Sequence, residues 1–297
     1  MKILVTGVRG QLGYDVSREL NKRDHEVIGT DIDNMDITDP DSVKALFDET
    51  KPEAVIHCAA WTAVDAAEDE MNKDKVYAVN VDGTANLVSV CKRMQIPMLY
   101  LSTDYVFDGR GEEPWKPDCK DYKPLNYYGK TKLLGEQYVA GLDRFFIVRI
   151  AWVFGKNGSN FIKTMLKIGK NHDQLRVVND QIGTPTYTFD LARLLADMIE
   201  SDRYGYYHAT NEGGYISWYD FAKEIFKQAA ALGYTDYDED HLKVIPVTTE
   251  EYGLSKATRP FNSRLDKSKL IKEGFRPLPD WKDALSRYLK ENAGAII

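Results

Sequence analysis

The stretch "KILVTGVRGQLG" at the start of the chain limits the fold more than any other segment. Lys2 to Thr6 is a run of strand formers. Gly7, Gly10 and Gly13 follow at three-residue spacing, and the amphipathic "QLGYDVSRELNKR" begins among them. A strand, a glycine turn and a helix in immediate succession open a βαβ unit that cradles a dinucleotide. Glycine permits the tight turn and lets backbone N–H groups approach a pyrophosphate, while the helix N-terminus adds partial positive charge. The second strand, "HEVIGTD", ends at Asp31. A carboxylate there accepts hydrogen bonds from an adenine-ribose hydroxyl and repels a 2′-phosphate, which favours NADH. Arg9, within the glycine loop, argues the other way because it can pair with that phosphate. The expectation is NADH with NADPH tolerated.

The pattern repeats down the first half. "EAVIHCAA", "MLYLSTD" and "FFIVRIAWVFG" read as strands. "DSVKALFDETK", "VYAVNVDGTANLVSVCKRM" and "YYGKTKLLGEQYVAGL" read as helices. Near-continuous apolar strands alternating with helical periods predict an α/β fold, a Rossmann-type doubly wound parallel sheet covered on both faces. After about residue 150 the pattern loosens, with helices expected at "FIKTMLKIGK", "FDLARLLADMIES", "SWYDFAKEIFKQAAAL" and "PDWKDALSRYLKEN". This divides the chain into an NAD(P)-binding domain over 1–150 and a smaller mixed α/β substrate-binding domain over 151–297, with part of 160–205 returning to the first. A net charge of −7 argues against nucleic acid or an anionic membrane as partner. No apolar run reaches about 18 residues, so a cytoplasmic location is expected. Cys58, Cys91 and Cys119 are odd in number and lack metal-ligand spacing, as expected of incidental thiols.

Tyr-x-x-x-Lys occurs three times, at Tyr128/Lys132, Tyr219/Lys223 and Tyr252/Lys256. On a helix such pairs share a face, so Tyr128 lies with Lys132 while Tyr127 and Lys130 point elsewhere. A tyrosine with a pKa near 10 exchanges protons poorly at neutral pH. An adjacent ammonium that brought it down about three units would supply roughly 4 kcal/mol. Only the Tyr128 pair follows a strand that ends in hydroxyls. Ser102 or Thr103 there can hydrogen-bond a substrate carbonyl and orient it towards Tyr128. The other two lysines are expected to be solvated, with Tyr252 in a polar loop.

Together the blocks "GVRGQLG", "MDITD", "AAWTAVDAAE", "STDYVFDG", "YYGKTKLLGE", "RIAWVFG", "DQIGTPT" and "RPFNSRLD" resemble the extended short-chain dehydrogenases/reductases over essentially the whole length. Within them the chain is most similar to the branch that reduces dTDP-4-dehydro-L-rhamnose at C4. The resemblance implies a dTDP-sugar substrate and a monomer or homodimer. With "YVFDG" as the ruler it selects Thr103, which joins Tyr128 and Lys132 as the catalytic set, Tyr128 donating the proton. It implies contacts of Gly10, Gln11 and Leu12 with the cofactor phosphates and of Asp31, Asp36 and Ile37 with the adenosine end. Ala59, Ala60 and Thr62 would flank the nicotinamide half, and Thr103, Asp104, Tyr105 and Trp152 would touch the sugar nucleotide. Trp61 stands where a tyrosine is usual and keeps an aromatic ring.

Some relatives form metal-bridged dimers, which would place Mg2+ at a dimer interface through Asp15, Asp190 and Glu291. Two of these are shorter than the glutamates expected, and exposed helix carboxylates without a metal are the favoured reading. Three rivals share the fold. A 4,6-dehydratase would carry an Asp-Glu pair after the threonine, whereas Asp104 is followed by Tyr105. A 4-epimerase uses the same tyrosine. A nucleotide-binding regulatory subunit need not retain Thr103, Tyr128 and Lys132 together.

Overall fold

The structure, a computed structural model, describes residues 1–238 and 240–296. Strands β1 (Lys2–Thr6), β2 (Glu26–Thr30), β3 (Ala54–His57), β4 (Met98–Thr103) and β5 (Phe145–Ile150) form one sheet with the strand Gly205–His208. The order from one edge is Gly205–His208, β5, β4, β3, β1, β2, and every neighbouring pair is parallel. Side chains alternate between two covered faces, which is why the strands read as unbroken apolar runs. Ile3, Val5, Ile56, Leu99 and Val148 pack under α1 (Gln11–Lys22) and a later helix, Thr188–Ile199. Leu4, Val55, Met98, Tyr100 and Ile147 pack under α2 (Pro40–Thr50) and the helix Gly83–Met94. Local signals set the helix ends: Asp39 caps α2 by accepting from the Asp41 N–H, and Pro40 occupies its first turn.

Two segments depart from the expected elements. The helix expected over 76–94 begins earlier, as α3 (Glu70–Tyr77), passes through a π turn at Ala78–Asp82, and continues as α4 (Gly83–Met94). The wider turn sets Asn80 inward, where it bonds the Trp61 backbone and Thr131. The strand expected over 145–155 stops at Ile150. Trp152 adopts a φ of 51°, and Val153–Phe154 pairs separately with Thr186–Tyr187. Beyond the sheet, α5 (Tyr127–Val139), α6 (Phe161–Gly169), α7 (Thr188–Ile199), α8 (Trp218–Ala231) and the helix Trp281–Ile296 are all present. Phe154, Ile162, Leu166, Phe221, Ile225, Trp281 and Tyr288 build a second apolar cluster beside the carboxyl edge of the sheet. Among the described residues no helix is long and apolar enough to cross a membrane.

Candidate active site

A cavity of about 1260 Å³ runs along the carboxyl edge of the sheet. In the order of the strands it is lined by Asp31, Asp36 and Ile37 after β2, then Gly7, Gly10, Gln11, Leu12 and Gly13 after β1. Ala59, Ala60 and Thr62 follow β3, Thr103, Asp104 and Tyr105 lie at β4, and Trp152 follows β5. Tyr128 and Lys132 enter from α5. The chain direction across the sheet reverses between β1 and β3, and such a switch point opens a crevice for ligands. A Cβ on Gly13 would lie 2.2 Å from the Gly7 carbonyl oxygen, and one on Gly7 would lie 2.9 Å from the Ala59 nitrogen. No side chain caps α1, so first-turn N–H groups at cavity-lining residues are left for a ligand. This cradle fits the pyrophosphate of a dinucleotide. Arg9 is engaged on the surface by Asp31 and Asp33, and its own N–H donates to Asp31 at 3.2 Å.

A buried polar chain shapes the middle of the crevice. Thr6 Oγ1 accepts from the Cys58 and Ala59 N–H groups at 3.1 and 3.0 Å, so its own proton goes to His57 Nδ1, 2.7 Å away. That leaves His57 Nε2–H to donate to Thr84 Oγ1 at 3.2 Å, and Thr84 donates to the Asn80 carbonyl. Burial, reinforced by Lys132, pulls the imidazole down to about 3 and keeps it neutral. Asn80 donates to Thr131, and Thr131 to the Tyr128 carbonyl. The turn after β3 and helix α5 are thereby held in one network.

Asn126 caps α5 by accepting from the Gly129 N–H at 2.8 Å, which starts the helix in register with the end of β4. Thr103 and Tyr128 line the same cavity, and Tyr105 meets the Tyr128 ring edge-on at 5.9 Å. Burial, then Asp104 and Tyr105, hold the Tyr128 phenol above its ordinary value, with Thr103 opposing. This corrects the expected lowering by Lys132. The Lys132 ammonium instead lies 4.0 Å over the Tyr100 ring, and burial pulls it down to about 7 against the pull of Glu136 and Cys58. Burial likewise lifts Asp104 to about 6, opposed by bonds from Ser263 and Thr103. Tyr127 turns away towards the Lys73 carbonyl, and Lys130 is exposed. Lys223 lies exposed beside the Tyr219 ring, and Lys256 pairs with Asp69. Tyr252, however, ends the short helix Thr249–Tyr252 and lines the cavity, contrary to the expected loop.

Comparison with known families gives this geometry a place. The family profile described as the RmlD substrate binding domain matches residues 1–293. The chain is 41% identical to the dTDP-4-dehydrorhamnose reductase of Aggregatibacter actinomycetemcomitans over 294 residues, 96% of this chain and 97% of that one. This chain belongs to the dTDP-4-dehydrorhamnose reductase family. The solved structure of a family member from Clostridium acetobutylicum superimposes with a TM-score of 0.91 at 42% identity, covering 99% of this chain and 100% of that one. A member from Bacillus anthracis, solved in complex with NADP, gives 0.89 at 37% identity, over 98% and 99% of the two chains.

Against this family's fold, the expected carboxylates Asp15, Asp190 and Glu291 fall differently. Asp15 and Asp190 are buried rather than exposed. Asp190 is gripped by both terminal nitrogens of Arg287, at 2.9 and 2.7 Å, and by Asn211, while Asp15 accepts from Thr188 at 2.6 Å. Glu291 is exposed and accepts from Tyr187. Among the described residues no group of His, Cys, Asp or Glu is placed to hold a metal ion, and the Mg2+ expectation gains no support. Several cavity residues went unread in the sequence. Trp218 stacks on Trp152 with centroids 3.8 Å apart, Gln181 lines the wall, and Arg259 reaches in while pairing with Asp65 at 2.7 Å. Ser263 donates to Asp104 from outside it. The blocks "DQIGTPT" and "RPFNSRLD" hold three of these residues, but nothing local says that they meet β4.

Proposed function

We propose that this chain reduces the C4 carbonyl of dTDP-4-dehydro-L-rhamnose to dTDP-L-rhamnose, with NADH or NADPH as reductant and Tyr128 as proton donor. The observation that carries the reading is that Thr103, Tyr128 and Lys132 line one cavity with the glycine cradle. When bound, the reduced nicotinamide supplies the hydride. Two hydroxyls lining one cavity can address a single carbonyl oxygen, Thr103 orienting it and Tyr128 giving the proton. A phenol held above its ordinary value is protonated at neutral pH, the state a donor needs. To Lys132, which lines the same cavity, this reading gives the nicotinamide ribose. The Trp152–Trp218 stack offers an apolar wall to the sugar nucleotide. Tyr105 brings no second carboxylate for elimination, which counts against a dehydratase.

The test is oxidation of NADH and of NADPH in the presence of dTDP-4-dehydro-L-rhamnose, with the product configuration determined by NMR. Stoichiometric oxidation with an L-rhamno product is expected. Interconversion of a nucleotide sugar without net oxidation would make the chain a 4-epimerase, and binding without turnover a regulatory subunit. A strong preference for NADPH would overturn the role given to Asp31.

A further inference from the structure

Gln11 is the first residue of α1 and lines the cavity among the cradle glycines. A turn from the second half of the chain covers its side chain. A Cβ on Gly155 would come 3.2 Å from Gln11 Cβ, and one on Gly158, where φ is +65°, would come 3.6 Å from Gln11 Cγ. Asn157 Nδ2 donates to the Arg9 carbonyl at 3.3 Å, which ties the turn to the glycine loop. Where the turn enters α6, Asn160 Nδ2 donates to Gln11 Oε1 at 3.1 Å.

Two backbone groups decide which way the Asn160 amide lies. The Lys163 N–H can only donate, and Asn160 Oδ1 accepts from it at 3.1 Å as the N-cap of α6. The Gly155 carbonyl can only accept, and it takes a proton from Asn160 Nδ2 at 2.9 Å. The Tyr288 hydroxyl, fully buried, lies 3.2 Å from the same nitrogen. With Asn160 fixed at both ends, Gln11 has one orientation open to it. Its NH2 turned towards Asn160 would set donor against donor, so its oxygen faces Asn160 and its NH2 occupies the other prong of the amide. Among the described residues Gln11 makes no other side-chain hydrogen bond, so that NH2 remains for a ligand.

We propose that Asn160 is a positioning residue for the cofactor: by holding Gln11 Oε1 it turns the Gln11 NH2 towards the phosphate cradle. This rests on the reading of the cavity as a dinucleotide site. The oxygens of a pyrophosphate only accept and carry negative charge, so the NH2 end of Gln11 can bond them while its oxygen would repel them. The contact has no substitute in the loop. Arg9 is the one cation between Gly7 and Gly13, and Asp31 and Asp33 engage it. Asn160 thereby gives the second half of the chain a hold on the first. The same residue that starts α6, whose Phe161 and Met165 line another part of the cavity, sets the polarity of a side chain in the glycine loop.

The experiment is a double-mutant cycle over the wild type, Asn160→Ser, Gln11→Met and the double variant. Dissociation constants for NADH and NADPH are read by fluorescence titration, and urea midpoints are taken beside them. Serine still caps α6 and brings no charge, so Asn160→Ser removes the donor to Gln11 and little else. Methionine keeps the length of Gln11 without its amide. Gln11→Met should weaken both cofactors about ten-fold, the worth of one hydrogen bond to a charged group. Asn160→Ser should weaken them about three- to ten-fold beside Gln11, and by less than about two-fold beside Met, where no amide is left to turn. A residue that serves only the fold would weaken the cofactor equally in both backgrounds, and that result overturns the proposal. So does a Gln11→Met variant that binds both cofactors as tightly as the wild type, whether or not Asn160→Ser folds. If the wild type itself binds neither NADH nor NADPH, the dinucleotide reading falls and the proposal falls with it.

Discussion

Lys132 and Tyr128 are one pair in sequence, yet burial acts on them in opposite senses. It costs the ammonium its hydration and keeps the phenol protonated. A lysine lowered from 10.5 to about 7 on folding destabilises the protein fully below the folded value. The penalty shrinks as pH rises towards the unfolded value. Lys132→Met should therefore raise the stability of the protein without cofactor by a few kcal/mol at pH 6, on the order of that pKa difference, and by much less at pH 9. Thermal melts at the two pH values check this; an equal gain at both would mean that the lysine is not the source. Tyr128→Phe should leave cofactor affinity intact, by fluorescence titration, and cut turnover by about 10²- to 10⁴-fold. Near-normal turnover would remove Tyr128 from the chemistry.

At the scale of elements, the proposed chemistry requires α5 to lie close against the end of β4. A Cβ on Gly129 would come 2.4 Å from the Tyr105 carbonyl oxygen, a backbone atom that cannot swing aside. Gly129→Ala should push α5 off that turn, lowering turnover about 100-fold through misplacement of Tyr128. It should also cost about 1–3 kcal/mol in overpacking. Turnover and urea unfolding of the variant test both, and unchanged turnover would mean that α5 has slack. The strands and helices of the first half were legible because each has its own period and length. The glycine cradle was legible because strand, turn and helix are adjacent in sequence. The π turn at Asn80 and the break at Trp152 were not, since both are set by partners far along the chain: Trp61 and Thr131 for one, Trp218 for the other. Arg259 and Ser263 were hidden for the same reason, lying more than a hundred residues from the strand end that they serve. The expected lowering of Tyr128 failed because spacing reports a shared helical face and not the depth of burial.

Across the molecule, Arg149 ties these parts together. It is fully buried on β5, bonds both Glu136 oxygens from α5 at 2.9 and 2.8 Å, and donates to the Pro117 carbonyl and the Tyr122 hydroxyl. The Phe107, Tyr122 and Tyr206 rings surround its guanidinium at 5.0–5.2 Å. One side chain thus joins the sheet, helix α5 and the 107–122 segment. Arg149→Met would strand Glu136 as an unpaired buried charge, at a cost of about 3–5 kcal/mol. Adding Glu136→Gln should recover much of that loss, because the remaining group is then neutral. Glu136 is also the largest influence holding Lys132 charged against burial. The double variant should therefore refold well yet carry a Lys132 pulled below its already low value, weakening whatever that ammonium holds. Urea midpoints test the first half of the argument and cofactor affinity against pH the second. Full stability together with an unshifted cofactor pH profile would mean that the pair serves the fold alone.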